Sequence, residues 1–278
     1  MYVFLCCRVP PGADVAEAMV RVAMATALER TSLTPCVVCD GVADSLAAWL
    51  RRRGVRTIQF TSPLAGAIER TFAPTYSPEC ARGSFLRIHI PDLAAEIGVA
   101  DEHALYADTD VMFMRDPVGG LSQLRPRLFA ATPELQGPVL EDTWAHVHRR
   151  RKVPSVNDGV MLLNLPKMRE SAGAFIRWSA RRMRPSWCLE QAAYNRYYGP
   201  PRLFGGAPWD ELPPRYNWKP CWGLGGGDIV HFHWTKPQLA EAYARGEAPE
   251  PVLRIAIGDF FEAARQWRET AERTLAEC

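Results

Sequence analysis

Two aspartates one residue apart, Asp108 and Asp110, interrupt an apolar run: Ala104-Leu-Tyr-Ala precedes them and Val111-Met-Phe follows. The pattern predicts a buried strand that ends in two carboxylates. In an extended chain residues i and i+2 share a side, so both acids project together while Thr109 points away. Two desolvated carboxylates repel each other, and burying either costs free energy unless something cationic sits between them. Oxygen ligands of this kind suit Mg²⁺ or Mn²⁺, and such an ion usually also holds substrate phosphates. The plain alternative is a solvated turn at the strand end, with Asp chosen for its turn chemistry.

Four further segments accompany this one: Gly83-Ser-Phe-Leu-Arg87-Ile-His-Ile-Pro91, Asn157-Asp158-Gly159-Val-Met-Leu-Leu-Asn164, Leu189-Glu190-Gln191-Ala-Ala-Tyr-Asn195, and Ile229-Val-His231-Phe-His-Trp-Thr-Lys236-Pro237. Together with Asp108-Thr-Asp110 they resemble, in order, the motifs of GT-A glycosyltransferases of family 8, the family of glycogenin and of bacterial lipopolysaccharide galactosyl- and glucosyltransferases. The resemblance runs from residue 83 to 237. It implies Asp108, Asp110 and His231 as metal ligands, and a neutral imidazole in that set suits Mn²⁺ better than Mg²⁺. It implies that Arg87 faces the donor sugar and its phosphates, where a planar, permanently charged fork is apt. Lys236 matches the lysine that holds the leaving diphosphate, although its spacing from His231 is one residue tighter than in the family. Glu190 and Gln191 match the acidic-Gln pair beside the reacting anomeric carbon, with Gln191 pointed at that centre.

In the Asn157-Asp158-Gly159 segment, Gly159 permits close backbone approach to a ligand, and Asn157 offers a donor and acceptors for sugar hydroxyls. Asp158 departs from the small residue usual in the family; it adds a carboxylate near the acceptor or faces solvent. The loop after the first strand, Cys7-Arg-Val-Pro-Pro, lacks the family's aspartate and tyrosine, so no residue is assigned to the nucleoside.

The elements that must position these residues follow from pattern. Residues 2–7, an apolar run, and residues 35–39 and 55–60 are strands, separated by helices over 15–29, with Asp14 as N-cap, and 43–53. This β-α-β-α-β alternation predicts a parallel sheet with right-handed crossovers. Residues 61–82 show no clear period. A helix over 84–97 is interrupted near Pro91, and residues 128–132 form another strand. The polar connection 133–156 carries the basic segment 146–152, a solvated face or a rim for an anionic acceptor or an acidic membrane surface. Residues 157–164 are a turn feeding a strand, helices follow over 166–183 and 186–198, and the aromatic-rich stretch 199–227 leads to a strand over 228–233. His231 and His233 share one face of that strand. An amphipathic helix over 251–278 packs on the catalytic domain, or attaches to a membrane surface or a second copy.

Composition bounds the rest. The 278 residues are 47% hydrophobic, enough for a sizeable core. A net charge of +2 argues against nucleic acid as a partner. The eight cysteines do not form a disulfide framework; Cys36-Val-Val-Cys39 has the spacing of a zinc or redox pair but sits in an apolar run, where free Cys behaves as a core residue. Reduced thiols, no signal peptide and no apolar run of about 18 residues predict a cytoplasmic protein, with peripheral attachment at the inner face of a membrane as the alternative that the C-terminal helix leaves open.

The expectation is therefore an α/β protein of GT-A fold: a mixed, mostly parallel sheet flanked by helices. Residues 1–240 form the catalytic domain (1–113 the nucleotide-sugar and metal half, 114–240 the acceptor half), and 241–278 a helical extension. The expected activity is transfer of a hexose, with retention, from a nucleotide-diphosphate sugar such as UDP-glucose or UDP-galactose to a carbohydrate or lipid-linked hydroxyl acceptor, as in bacterial surface polysaccharide synthesis. The rivals are a sugar-phosphate nucleotidyltransferase, whose Gly-rich N-terminal signature residues 6–13 do not provide, and a non-catalytic nucleotide-sugar-binding protein.

Overall fold

The structure, a computed structural model, describes residues 1–72, 77–133, 156–184, 189–199, 209–220, 226–248 and 258–277. The basic segment 146–152, much of the aromatic-rich stretch 199–227 and the start of the helix expected over 251–278 lie outside the described residues. Nine strands occur among them: β1 (Tyr2–Val9), β2 (Thr34–Val42), β3 (Arg56–Gln59), β4 (His103–Ala107), β5 (Val111–Phe113), β6 (Phe129–Pro133), β7 (Val156–Asn164), β8 (Asp210–Glu211) and β9 (Ile229–His231). Seven form one sheet in the order β3-β2-β1-β4-β7-β6-β8, and β5 pairs with β9 in a second, two-stranded sheet. The first half is parallel and β7 runs antiparallel to both its neighbours, so the sheet is mixed and mostly parallel as expected.

Alternation along the strands builds two cores. Val3, Leu5, Val37, Leu105 and Leu162 face one way, under the helices Asp14–Arg30 and Asp44–Arg52. Phe4, Val38, Tyr106, Met161 and Leu163 face the other, under the helices Pro78–Phe85, Ile90–Glu96, Leu165–Arg182 and Leu189–Tyr197. Cys36 belongs to the second face and Cys39 to the first, because three residues of strand reverse direction. They cannot share a metal or a disulfide. Burial raises their thiols to about 12 and about 11, keeping both protonated.

Several boundaries differ from expectation. Asp14 is the first helical residue, and Ala13 occupies the cap position without a side-chain bond. The helix expected over 84–97 is two, Pro78–Phe85 and Ile90–Glu96, joined by a 3₁₀ turn at Leu86–His89; the break precedes Pro91, which opens the new helix where a missing N–H costs nothing. Within 61–82 lies an unforeseen helix, Ala65–Phe72, whose two buried residues, Ile68 and Phe72, are too few to make a visible period. The Asn157-Asp158-Gly159 segment is strand, not turn. Asn164 ends β7 and caps the next helix through Lys167 N, with Pro166 in its first turn.

The C-terminal helix Gly258–Leu275 is part of the same body. Phe260, Ala264 and Trp267 pack with Met112 of β5, Val230 of β9 and Val22 of the first helix. The buried Arg21 donates to Thr274 O at 2.9 Å, and Glu277 accepts from Trp49 Nε1 at 3.0 Å. No described helix is long and apolar enough to cross a membrane. Trp267→Ala should lower the unfolding free energy by about 3–5 kcal/mol. In a urea titration the expected result is one cooperative transition moved to lower denaturant. A separate early step confined to the C-terminal helix would mean that it is not integral to this core.

Candidate active site and metal centre

The acidic pair sits where the chain passes from one sheet to the other. β4 ends at Ala107, residues 109–110 turn, and β5 starts at Val111 in the second sheet. The strand expected to end in the two carboxylates does stop just before them, the apolar run after them is a second strand, and a turn rather than a shared strand face brings the carboxylates together. Asp108 N is tied to Gly159 O of β7 at 2.8 Å, and Asp110 O receives Phe232 N, just past β9, at 2.9 Å. The two sheets thus clamp the turn from both sides. Val111 pairs with His231, which brings the imidazole opposite the turn.

His231 Nε2 lies 3.4 Å from Asp110 Oδ1 and 3.8 Å from Asp108 Oδ2. One ligand atom from each of the three residues lies within 4.8 Å of the others, the one such potential metal group among the described residues. Nε2 is buried and has no hydrogen-bond partner. A buried, unpartnered nitrogen beside two carboxylates is the donor set of a divalent cation site, and these residues fit Mn²⁺ or Mg²⁺. The strand ends at His231; His233 lies in the following bend, its ring 5.2 Å from that of His231, outside the group.

Gly159 explains how the imidazole fits. A Cβ there would stand 2.1 Å from His231 Cε1. The group packed against Gly159 is the histidine ring. A register shift helps: Ala131 pairs with Met161 and Thr132 with Asn157, leaving Asp158, Gly159 and Val160 between consecutive rungs with β6. Such irregularities bend a strand and re-aim its side chains.

Arg87, in the 3₁₀ turn Leu86–His89, follows a helix that approaches β1 closely, where a Cβ on Gly83 would meet Arg8 N at 2.8 Å. Its guanidinium is buried over the Tyr106 ring, 4.3 Å from the centroid. It contacts Asp108 Oδ1 at 2.6 Å, Glu190 Oε1 at 2.5 Å, Asp158 Oδ2 at 3.1 Å and Asp158 O at 2.8 Å. Expected to face donor phosphates, it is instead occupied by three carboxylates. Asp158 is not solvent-facing but buried against it. Burial pushes the Asp158 carboxyl well up, against the pull of Arg87 and with the help of Glu190 and Asp108. Burial raises Glu190 as well, again opposed by Arg87 and aided by Asp108.

Lys236 reaches back to Asp110 Oδ2 and also donates to Phe232 O at 3.3 Å. The tight spacing from His231 is achieved by a γ-turn: Trp234 has φ +67°, and Thr235 N donates to His233 O at 2.8 Å. That conformation is rare and strained for a residue with a side chain. Burial works against ionising Asp110, yet Lys236 outweighs it and holds the carboxyl well below its usual range. Four carboxylates (Asp108, Asp110, Asp158, Glu190) thus meet two cationic side chains, Arg87 and Lys236.

Gln191 and Asn157 touch each other. Gln191 Oε1 accepts from Asn157 Nδ2 at 3.3 Å and from Asp158 N at 3.4 Å. Sequence reasoning missed two members of the site. Tyr106 donates to Asp108 Oδ1 at 2.5 Å; two residues upstream on the same strand face, it was legible from strand period. Asn217, fully buried between Tyr216 and Trp218, lies 2.8 Å from His231 Nδ1, and a lone Asn in an aromatic stretch carries no such signal.

No protein-family model matches the sequence, and no curated protein sequence matches it. Solved structures do. An active-site mutant of LgtC superposes with a TM-score of 0.66 at 16% identity, over 98% of this chain and 96% of that one. The galactosyltransferase LgtC in complex with donor and acceptor sugar analogues gives 0.61 at 15%, over 98% and 96%. Mouse xyloside xylosyltransferase 1 gives 0.55 at 14%, over 83% and 96%. The chain is an α/β protein with the GT-A fold of these glycosyltransferases.

Proposed function

We propose that this protein is a metal-dependent glycosyltransferase that moves a hexose from a nucleotide-diphosphate sugar, UDP-glucose or UDP-galactose first among the candidates, to a hydroxyl of a carbohydrate or lipid-linked acceptor with retention. The observation that carries the reading is the convergence of Asp108, Asp110 and the unpartnered His231 Nε2 at the clamped junction of the two sheets. In this reading those three residues hold Mn²⁺ or Mg²⁺, which supplies Lewis-acid stabilisation of the departing diphosphate. Lys236 is the mobile cation: it leaves Asp110 for the diphosphate. Arg87 holds Asp108, Asp158 and Glu190 in register, a positioning role that replaces direct phosphate binding. Asn157 and Gly159 act through Gln191 and His231 rather than on the acceptor. LgtC's complex with donor and acceptor sugar analogues supports the substrate class.

Glu190 is ill suited to be a nucleophile, since Arg87 holds one oxygen and burial favours its protonated form. The amide of Gln191 is a poor nucleophile by its chemistry. The acceptor hydroxyl therefore attacks the anomeric carbon from the side the diphosphate leaves. The bond from carbon to diphosphate oxygen breaks, the bond to acceptor oxygen forms, and the proton passes to the departing diphosphate. Gln191 steadies the developing positive charge through its carbonyl oxygen, and Glu190 orients donor hydroxyls.

Four expectations test this. Asp110→Asn should abolish transfer and Mn²⁺ binding with the fold intact. Gly159→Ala should drive the added methyl into His231, weakening Mn²⁺ binding by at least about tenfold at a stability cost of about 1–3 kcal/mol. Calorimetric Mn²⁺ titration reads both, and unaltered binding in both would remove the metal assignment. With an α-linked donor, the first-formed product should show the anomeric proton coupling of an α-linkage, and Gln191→Ala should lower turnover without abolishing it. A β-linked product would refute same-side attack, and a trapped sugar ester on Glu190 or Asp158 would replace it with double displacement.

A further inference from the structure

Beneath the metal group runs a chain of three buried or half-buried amides whose direction is fixed at two points by backbone. Gln191 Oε1 receives Asp158 N at 3.4 Å, and Asn157 Oδ1 receives Gly159 N at 3.4 Å. A backbone N–H only donates, so both side-chain atoms must be oxygens. The remaining contacts then follow in order. Asn157 Nδ2 donates to Gln191 Oε1 at 3.3 Å, and Asn217 Nδ2 donates to Asn157 Oδ1 at 2.8 Å. That leaves Asn217 Oδ1 for His231 Nδ1, 2.8 Å away. An oxygen there accepts, so Nδ1 of the neutral ring carries the hydrogen and Nε2 carries a bare lone pair. Nε2 is the atom that faces Asp108 and Asp110.

We infer that Asn217 and Asn157 are positioning residues that fix the tautomer of His231, passing a hydrogen-bond direction from the backbone at Asp158 and Gly159, by way of amides, to the ligand nitrogen. Reversing any amide would present Asn217 Nδ2 to Nδ1 and put the hydrogen on Nε2, where it would satisfy the carboxylates and block a cation. Asn217 is itself rigidly held: His231 N donates to Trp218 O at 2.8 Å and Trp218 N to Ile229 O at 3.0 Å, so the segment carrying the asparagine is stitched along β9. The same chain sets the Gln191 amide and the His231 lone pair in one fixed relation. Orientation of a ligating imidazole by its second nitrogen is a general determinant of metal affinity.

The affinity arm of the test rests on the metal reading above; the tautomer arm does not. In the metal-free, ¹⁵N-histidine-labelled wild-type protein, near pH 8, long-range proton–nitrogen correlation should place the His231 hydrogen on Nδ1, with the signal assigned by its loss in His231→Ala. A hydrogen on Nε2 would overturn the inference. Asn217→Ala should then weaken Mn²⁺ binding, titrated with manganese chloride alone, by about 10- to 100-fold. Asn217→Asp keeps an acceptor for Nδ1 but cannot donate to Asn157, so it should retain Mn²⁺ affinity while transfer falls. Wild-type affinity in a folded Asn217→Ala would also overturn the inference. If the wild-type protein binds no Mn²⁺ yet shows the Nδ1 hydrogen, the metal reading fails and the amide chain stands.

Discussion

A bare imidazole nitrogen and two carboxylates face one another across 3.4 and 3.8 Å, and the rest of the site is arranged around that unfavourable encounter. Lone pairs and negative charge in a partly buried space repel, so the arrangement stores a demand for a cation. Lys236 answers part of it from one side and Arg87 from the other. Neither reaches His231 Nε2, which stays without a partner. The fold sustains the encounter because the turn at residues 109–110 is gripped by two sheets at once, through Gly159 O and Phe232 N. The backbone that carries the three side chains is thus held by the pairing of β4 with β7 and of β5 with β9.

Two kinds of cation serve different ends here. Arg87 is buried, multiply bonded and stacked on Tyr106, and a guanidinium so placed is a fixed strut. Lys236 is partly exposed, attached through one ammonium, and carried on a strained γ-turn at Trp234. Strain of that kind persists where the surroundings over-determine it and is released when partners change. The contrast supports a division of labour in which Arg87 keeps the acids in place while Lys236 moves.

Much of the scaffold was legible from local pattern. The first two strands read directly, because burial on both sheet faces leaves an unbroken apolar signature, whereas the third, Arg56–Gln59, lies at the sheet edge and is mostly exposed. The core role of Cys36 and Cys39 follows from strand period alone. The turn between Asp108 and Asp110 was legible only as one of two readings, since apolar residues on both sides suit one strand or two. Nor were the partners of Arg87: Asp158 and Glu190 lie far along the chain and meet it only through packing of helices Pro78–Phe85 and Leu189–Tyr197 over β1 and β7. The role of Gly159 was invisible for the same reason, because the ring it accommodates comes from β9. Local sequence reports which side chains are buried; it does not report which buried side chains meet.

The central claim is that Asp108, Asp110 and His231 together bind a divalent cation, and pulsed electron paramagnetic resonance of the Mn²⁺-loaded protein tests it most directly. With ¹⁵N-histidine incorporated, the account predicts one directly coordinated imidazole nitrogen, lost in His231→Ala and retained in His233→Ala. Absence of any nitrogen coupling to bound Mn²⁺, or a coupling that survives in His231→Ala, would contradict it.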